Sequence, residues 1–488
     1  MNVKLLILPV LIPLLGGICT ALLPFRSGKT RDHFTTGVVL LNSAVILAFL
    51  LSRPSGTLTL LRLTGALSLA LRLDGLSVVF LALIGFLWPI AIFYSFEYME
   101  HEENLPRFFG FYTMSYGVTA GVALSAHLIT KYCFYEMLTL VTIPLVAHDG
   151  DRRSMSAARK YIIYSIGGAA LSFAGILMLY SRTGCTEYIF GGSASAFQGD
   201  SFLLIAYLLT FIGFGVKSAI FPLHAWLPAA SVAPTPVTAL LHAVAVVKSG
   251  VFASIRSTFY AFGPALLAGT WAQKTAMAVA AFTILFGSCM ALREQHLKRR
   301  LAYSTVSNLS YILFGMSLMT VNGLTAGLSH MLFHGIMKIT LFFCAGTVLC
   351  KTGREYVPQT VGLGRKMPLT FLTFGIAGLA LTGTPLLPGF VSKINLLHAA
   401  ADLENPFAMA GIAALLLSAV LTAAYLIPMT VRSFLVNTEA SPSFSDQDKD
   451  PGLRMLVPFA VLVAAMLMLG IHGEPVMDAL ERLITGSL

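Results

Sequence analysis

The residues able to do chemistry in this chain are few and stand in unusual places. Glu136, Lys217, Lys248, Lys338 and Lys393 interrupt stretches otherwise free of charge, and His242, His330 and His334 join them as titratable groups. A charge in an apolar medium costs several kcal/mol, so it is rare there and usually lines a polar path. One such residue could be a side chain snorkelling to an interface. Five, none obviously near the end of its stretch, are hard to explain that way. Four lysines against one acid also leave an imbalance that water or proton sharing must relieve. Desolvation disfavours the charged form of lysine, and an amine that is neutral part of the time can take and give a proton.

The spacing sharpens this. His330, His334 and Lys338 recur at i, i+4 and i+8 in HMLFHGIMK, which places them on one helix face as a candidate proton path. The two histidines could form a metal pair, but no glutamate or third ligand lies nearby, so no metal is expected; a packed, hydrogen-bonded histidine is the plainer alternative. His242 and Lys248 are six apart, and an unbroken helix would not align them. Lys217 precedes Pro222 in GFGVKSAIFPLHAWLP, and Lys393 follows Pro385 and Pro388 in GTPLLPGFVSKINLL. Proline removes a backbone donor, and an interrupted helix at membrane depth is tolerated where it lines a cavity. One such break in each half of a chain is the sign of an inverted-repeat transporter; an ordinary proline kink is the alternative reading. There is no Walker loop, dinucleotide fingerprint, zinc-protease helix or nucleophile elbow, so no catalytic residue and no cofactor is expected.

The elements that must position these residues follow from composition. The chain has 488 residues, 56% hydrophobic and only 11% charged, with 32 Lys+Arg against 22 Asp+Glu for a net charge of +10. Soluble proteins carry about 25% charged residues, so most soluble folds are excluded, and disorder is excluded by the hydrophobicity. The positive residues are scattered between apolar blocks, which argues against nucleic acid. Apolar stretches of about 20 residues, the length that crosses about 30 Å of hydrocarbon, recur throughout and predict an all-α polytopic membrane protein. About fourteen spans are expected, at 3–24, 34–52, 74–96, 106–126, 128–147, 158–181, 201–222, 233–255, 269–292, 299–321, 324–350, 369–397, 407–431 and 452–472. Loops after odd-numbered spans hold roughly 19 Lys and Arg and the others roughly 6, which by the positive-inside rule places both termini outside. The longest polar loop, 437–451, is then cytoplasmic. The six cysteines, Cys19, Cys133, Cys185, Cys289, Cys344 and Cys350, contain no CxxC pair and read as small apolar helix residues.

Several long segments resemble the antiporter-like subunit family shared by respiratory complex I, Mrp-type sodium/proton antiporters and membrane-bound hydrogenases. They are LRLDGLSVVFL (71–81), KYCFYEMLTLVTIPLV (131–146), AARKYIIYSIGGAALSFAGILMLY (157–180), FGVKSAIFPLHAWLPAASVAPTPVTALLHAVAVVKSGVF (214–252), LKRRLAYSTVSNLSYI (297–312) and HMLFHGIMKITLFFCAG (330–346). The resemblance implies two inverted five-helix repeats, spans 4–8 and 9–13, each with one broken helix. It implies an organisation of 1–105 for spans 1–3, 106–260 for the first repeat, 261–436 for the second, and 437–488 for the loop and span 14. It also implies roles. Glu136 pairs with Lys217; Lys248, with His242 nearby, carries protons inward; His330, His334 and Lys338 form the central link; Lys393 is the terminal exchanger. Lysine rather than glutamate at the terminal position, and the absence of a long lateral helix, resemble the shorter Mrp-D-like or hydrogenase-type class. The stretch Ala229-Ala230-Ser231 departs from the acidic residue and histidine often found there in the family.

The expected function is proton translocation along this Glu/Lys/His axis. The driving energy would come from partners: other antiporter-like and small membrane subunits and, in a redox-driven complex, a peripheral hydrogenase or quinone-reductase arm. The chain would sit in the lipid bilayer of a prokaryotic inner membrane. Two alternatives stay open: a subunit of an Mrp-type sodium/proton antiporter, and the membrane partner of an inorganic-carbon uptake system.

Overall fold

The computed structural model describes residues 2–64, 67–435 and 448–486. Residues 437–447 of the polar loop expected at 437–451 therefore lie outside the described residues. Among the described residues ten helices are long and apolar enough to cross a membrane. The other four expected spans also coincide with helices. Leu105–Leu124 and Leu297–Ser317 carry more polar residues, while Ser201–Gly215 and Pro368–Thr382 are short because each stops at a break.

Two features are not expected from the sequence. Thr57–Arg62 and Ser68–Arg72, between the second and third expected spans, pair as antiparallel strands with Thr57 opposite Arg72. The first strand is largely exposed, while Ala70 and Leu71 of the second are buried against the helices. A final helix, Gly473–Thr485, follows the last span and packs against Gly75, where the Leu483 carbonyl leaves no room for a Cβ.

Local signals set the helix ends. Arg152–Thr183 starts on Asp151, whose carboxylate accepts the Ser154 N–H at 2.7 Å, and ends on Gly184 with φ 64°. Val321–Thr352 starts on Thr320, which accepts the Gly323 N–H at 3.1 Å, and ends on Gly353 with φ 66°. The two helices, each of 32 residues, are displaced by the same 169 positions at both ends (321 − 152). The same displacement relates other contacts. Leu128 N–H donates to the Thr186 carbonyl at 2.8 Å, and Leu297 N–H to the Glu355 carbonyl at 2.8 Å. Tyr188 N–H donates to Ala126, and Val357 N–H to Gln295, in the same register. The two halves are thus built on one pattern of caps and cross-loop bonds.

The core sits around two helical segments. Residues 235–262 are buried throughout, and Val321–Thr352 is mostly buried, whereas Gly28–Ser52 and Leu453–Ile471 keep an exposed apolar face.

Candidate functional site

Both expected breaks are present. Ser201–Gly215 ends two residues before Lys217, the chain turns through 216–219 with Ala219 at φ 55°, and it resumes as Trp226–Ala229. Pro222 lies inside this gap, past the point where the helix stops. Trp226 Nε1 donates to the Val216 carbonyl at 2.7 Å and fixes the loop beside the helix end. The second break runs between Pro368–Thr382 and Pro388–Ala401, with Gly383 at φ 99° and Leu386 at φ 68°. Pro385 stands in the gap, and Pro388 opens the restarted helix, where its missing N–H costs nothing. A third break is not foreshadowed in the sequence. The helix carrying His242 stops at Ala243 and restarts at Val246.

The breaks free lysines to face inward. Lys217 is fully buried, its Nζ donates to the Tyr135 carbonyl, and it lies 3.3 Å from the centre of the Tyr135 ring. Glu136 Oε1 stands 3.8 Å from Lys217 Nζ, and its side chain is 26% exposed. That carboxylate is therefore at the edge of the fold, on a helix whose Met137 and Leu140 are also exposed. Lys217 is pressed against the helix that holds Lys248, because a Cβ at Gly250 would come within 2.9 Å of the Lys217 carbonyl carbon.

Lys248 Nζ lies 2.8 Å from His334 Nδ1. The His334 and His330 rings are 5.8 Å apart. His330 Nδ1 is 2.9 Å from Ser392 Oγ and its Nε2 is 3.3 Å from Asn308 Oδ1. The next residue after Ser392 is Lys393, whose Nζ donates to the carbonyls of Leu381 and Thr382 at 2.7 and 2.9 Å, beside the break. Tyr311 links the two groups, since its ring stacks on His330 at 5.1 Å and lies 5.3 Å from Lys393 Nζ.

The side-chain contacts add detail to two of the sequence readings. Lys248 partners His334, while His242 Nε2 lies 3.5 Å from Ser231 Oγ and its ring packs on Phe342 at 4.7 Å. The break at residues 244–245 falls between the two residues. Lys338 shares a helix with His330 and His334, but its Nζ donates to the Leu301 carbonyl at 3.0 Å and to Ser304 Oγ. Ser392, Asn308 and Tyr311 are contacts that a search for charge could not find. Lys131, Lys298 and Arg256 are buried cations that it also missed.

On the face opposite the hairpin, a cavity of about 420 Å³ is lined by Asp149, Ser231, His296, Lys298 and Glu355, among others. Ser231 connects it to His242. His296 lies in the loop there, where burial pushes its pKa below the usual histidine range and Glu355, at 3.6 Å, opposes that shift. Among the described residues no group of three or more His, Cys, Asp or Glu could hold a metal ion, and the six cysteines are free.

Known proteins resemble this chain in sequence and in fold. Residues 125–422 match the family described as NADH:quinone oxidoreductase/Mrp antiporter, and residues 63–109 match the N-terminus of complex I chain 5. The chain is 30% identical over 427 residues to NADH-quinone oxidoreductase subunit N of Desulforudis audaxviator (strain MP104C), covering 84% of this chain and 83% of that one. It is 32% identical over 398 residues to the A/B component of a probable K(+)/H(+) antiporter of Rhizobium meliloti (strain 1021), covering 80% of this chain but only 39% of that longer protein. One chain of the archaeal membrane-bound sulfane sulfur reductase has the same fold, with a TM-score of 0.86 at 22% identity, covering 99% of this chain and 97% of that one. The chain is a member of the antiporter-like membrane subunit family of NADH:quinone oxidoreductases and Mrp antiporters.

Proposed function

We propose that this chain moves protons as one membrane subunit of a multisubunit energy-converting complex. The observation that carries the reading is the buried row itself. Glu136 and Lys217 form one pair, and Lys248, His334, His330, Tyr311 and Lys393 form a second run of near neighbours, which meets the first where Gly250 packs on the Lys217 backbone. Each can hold or relay a proton without covalent chemistry. With Glu136 close, opposite charge favours protonated Lys217. Glu136 is reachable from the side of the fold, so a charge on a neighbouring protein of the complex can draw it away. Lys217 then loses its counter-ion and releases its proton toward Lys248. Passage through His334 and His330 loads Lys393 for release. Lys338, held by Leu301 and Ser304, serves as a fixed positive neighbour that limits how many protons the centre holds at once.

The cavity at Asp149, His296, Lys298 and Glu355, followed by Ser231 and His242, is suited to supply protons from the opposite face. The Lys and Arg bias assigns that face to the cytoplasm and the termini to the outside of a prokaryotic inner membrane. Residues 106–260 and 261–436 are taken as the two repeats. The adjoining subunits would be further antiporter-like and small membrane chains. The quinone oxidoreductase relative, matched over most of both lengths, favours a redox-driven complex. The K(+)/H(+) antiporter relative supports a second reading, in which a cation gradient supplies the energy. In this chain, though, a single carboxylate and four lysines on the axis would repel a metal cation rather than coordinate it.

The test is Lys217→Ala and Glu136→Ala, each in the intact complex. Assembly is expected to survive while proton translocation collapses. Undiminished translocation by both variants would remove the assignment.

A further inference from the structure

The structure holds a second buried charge centre that the axis above does not use. Lys131 lies near the hairpin end of the Glu136 helix, is fully buried, and its Nζ has no hydrogen-bond partner among the described residues. It sits 4.7 Å from the centre of the Tyr188 ring and 4.3 Å from that of Phe252. Arg256, equally buried, lies 5.1 and 5.3 Å from the same two rings. Its guanidinium forks onto the Asp74 carboxylate at 2.5 and 2.7 Å and also donates to Ser77 Oγ at 2.8 Å. Arg72 then bonds Glu187 at 2.9 Å, and the Glu187 side chain is 45% exposed. The charged and titratable groups therefore step from Lys131 through Arg256 and Asp74 to Arg72 and Glu187 at the surface.

Lys131 is also close to the axis. It is one helical turn, about 5.4 Å, from Tyr135, whose carbonyl and ring hold Lys217. Phe252 stands one turn from Lys248 on the segment Val246–Arg256. Lys131 is thus a turn nearer the hairpin face than Tyr135, which anchors Lys217, and it touches a ring one turn away from Lys248. The groups facing it are His127 and Tyr135 on its own segment, Arg72 and Asp74 from the hairpin side, Glu187 and Tyr188 from the following loop, and Arg256 and Tyr260 from the buried helix.

We propose that Lys131 is a proton-holding station on an outward branch of the first repeat, between the Lys217–Lys248 region and the hairpin face. This rests on the proton-transfer reading above. A proton leaves the ammonium of Lys217 or Lys248 through water and joins the neutral amine of Lys131, leaving a neutral amine behind. It then passes from Lys131 to the Glu187 carboxylate or to water. Only N–H and O–H bonds are made and broken. The aromatic faces favour the ammonium, whereas burial and the nearby guanidinium disfavour it. Asp74 is already engaged by Arg256 and does not trap the proton. An ammonium attracted on two sides but bonded to no acceptor is held without being locked in.

The competing role is a structural cation wedged between two rings, which arginine can fill as well as lysine. The experiment measures proton translocation in membrane vesicles carrying the intact complex, with Lys131→Arg, Lys131→Met and, as reference, Lys217→Ala. Lys131→Arg is expected to assemble normally yet lose at least tenfold in rate, because a guanidinium does not release its proton; Lys131→Met is expected to lose as much. A wild-type rate in either Lys131 variant would overturn the proposal, and Lys131→Arg decides it alone if the methionine variant does not assemble. An unchanged rate in Lys217→Ala as well would instead bring down the broader reading of the axis.

Discussion

Glu136 offers the most quantitative test of the axis. Its Oε1 lies 3.8 Å from Lys217 Nζ, with one partner fully buried and the other about a quarter exposed. At an effective dielectric of about 20, which suits a pair at the edge of a fold, the attraction is about 4 kcal/mol. That corresponds to roughly a thousandfold bias toward the protonated lysine. Glu136→Gln preserves shape and removes the charge, so nearly all of this bias disappears. Glu136→Asp keeps the charge but withdraws it by one carbon, about 1.5 Å, which leaves about 3 kcal/mol. Translocation should therefore rank wild type, then Asp, then Gln, with Gln at least tenfold below wild type. The assay is dye-reported proton uptake by inverted vesicles, normalised to assembled complex. If glutamine supports the wild-type rate, or aspartate is as damaging as glutamine, then charge at that distance is not what controls Lys217.

Gly250→Ala should separate the Lys217 loop from the Lys248 helix, because its Cβ would meet Ser218 N at 2.7 Å. Overpacking of this kind costs about 1–3 kcal/mol, so thermal unfolding in detergent should move down and translocation should fall together. Glu355→Gln removes the group that raises the His296 pKa, so by NMR of labelled histidine its titration should move to lower pH. The sign for stability follows. His296 has a folded pKa below the ordinary histidine value of 6.5, so its contribution is present above 6.5 and is lost as pH falls through the folded value. The glutamine variant should widen that window of loss, which pH-dependent unfolding would show.

The sequence makes some parts of this site legible and conceals others for physical reasons. A lysine in an apolar run beside prolines is visible without coordinates, since the cost of burying charge leaves so few of them; Lys217 and Lys393 stand out this way, with their breaks. Glu136 stands out as the one acid deep in a span. Lys131 sits four residues into its helix, Leu128–Val146, where a lysine reads as an end group that can reach the interface. Only the rings of Tyr188 and Phe252, from distant segments, show that it is enclosed. Asp74 and Arg256 meet across 182 positions, which no local pattern records. The break after Ala243 falls in AVAVV, with neither proline nor glycine, and arises from the packing around it. Uncharged links such as Ser392 and Asn308 resemble any other polar residue in a helix. The hairpin at 57–72 is hidden because short strands between long apolar helices resemble linkers.

The position of the breaks carries an electrical consequence. Lys217, Lys248, His334 and Lys393 all sit near the middles of their crossings, beside an interruption or deep within a helix of 32 residues. In the proposed relay, moving a proton from one to the next would displace charge mainly sideways, along the plane of the bilayer. A membrane potential contributes about 2.3 kcal/mol per charge per 100 mV only to motion across the bilayer. On that proposal the voltage would work on uptake at one face and discharge at the other and leave the central relay almost untouched. Back-pressure from an energised membrane should throttle the ends of the route first, and the middle keeps conducting until those ends stall.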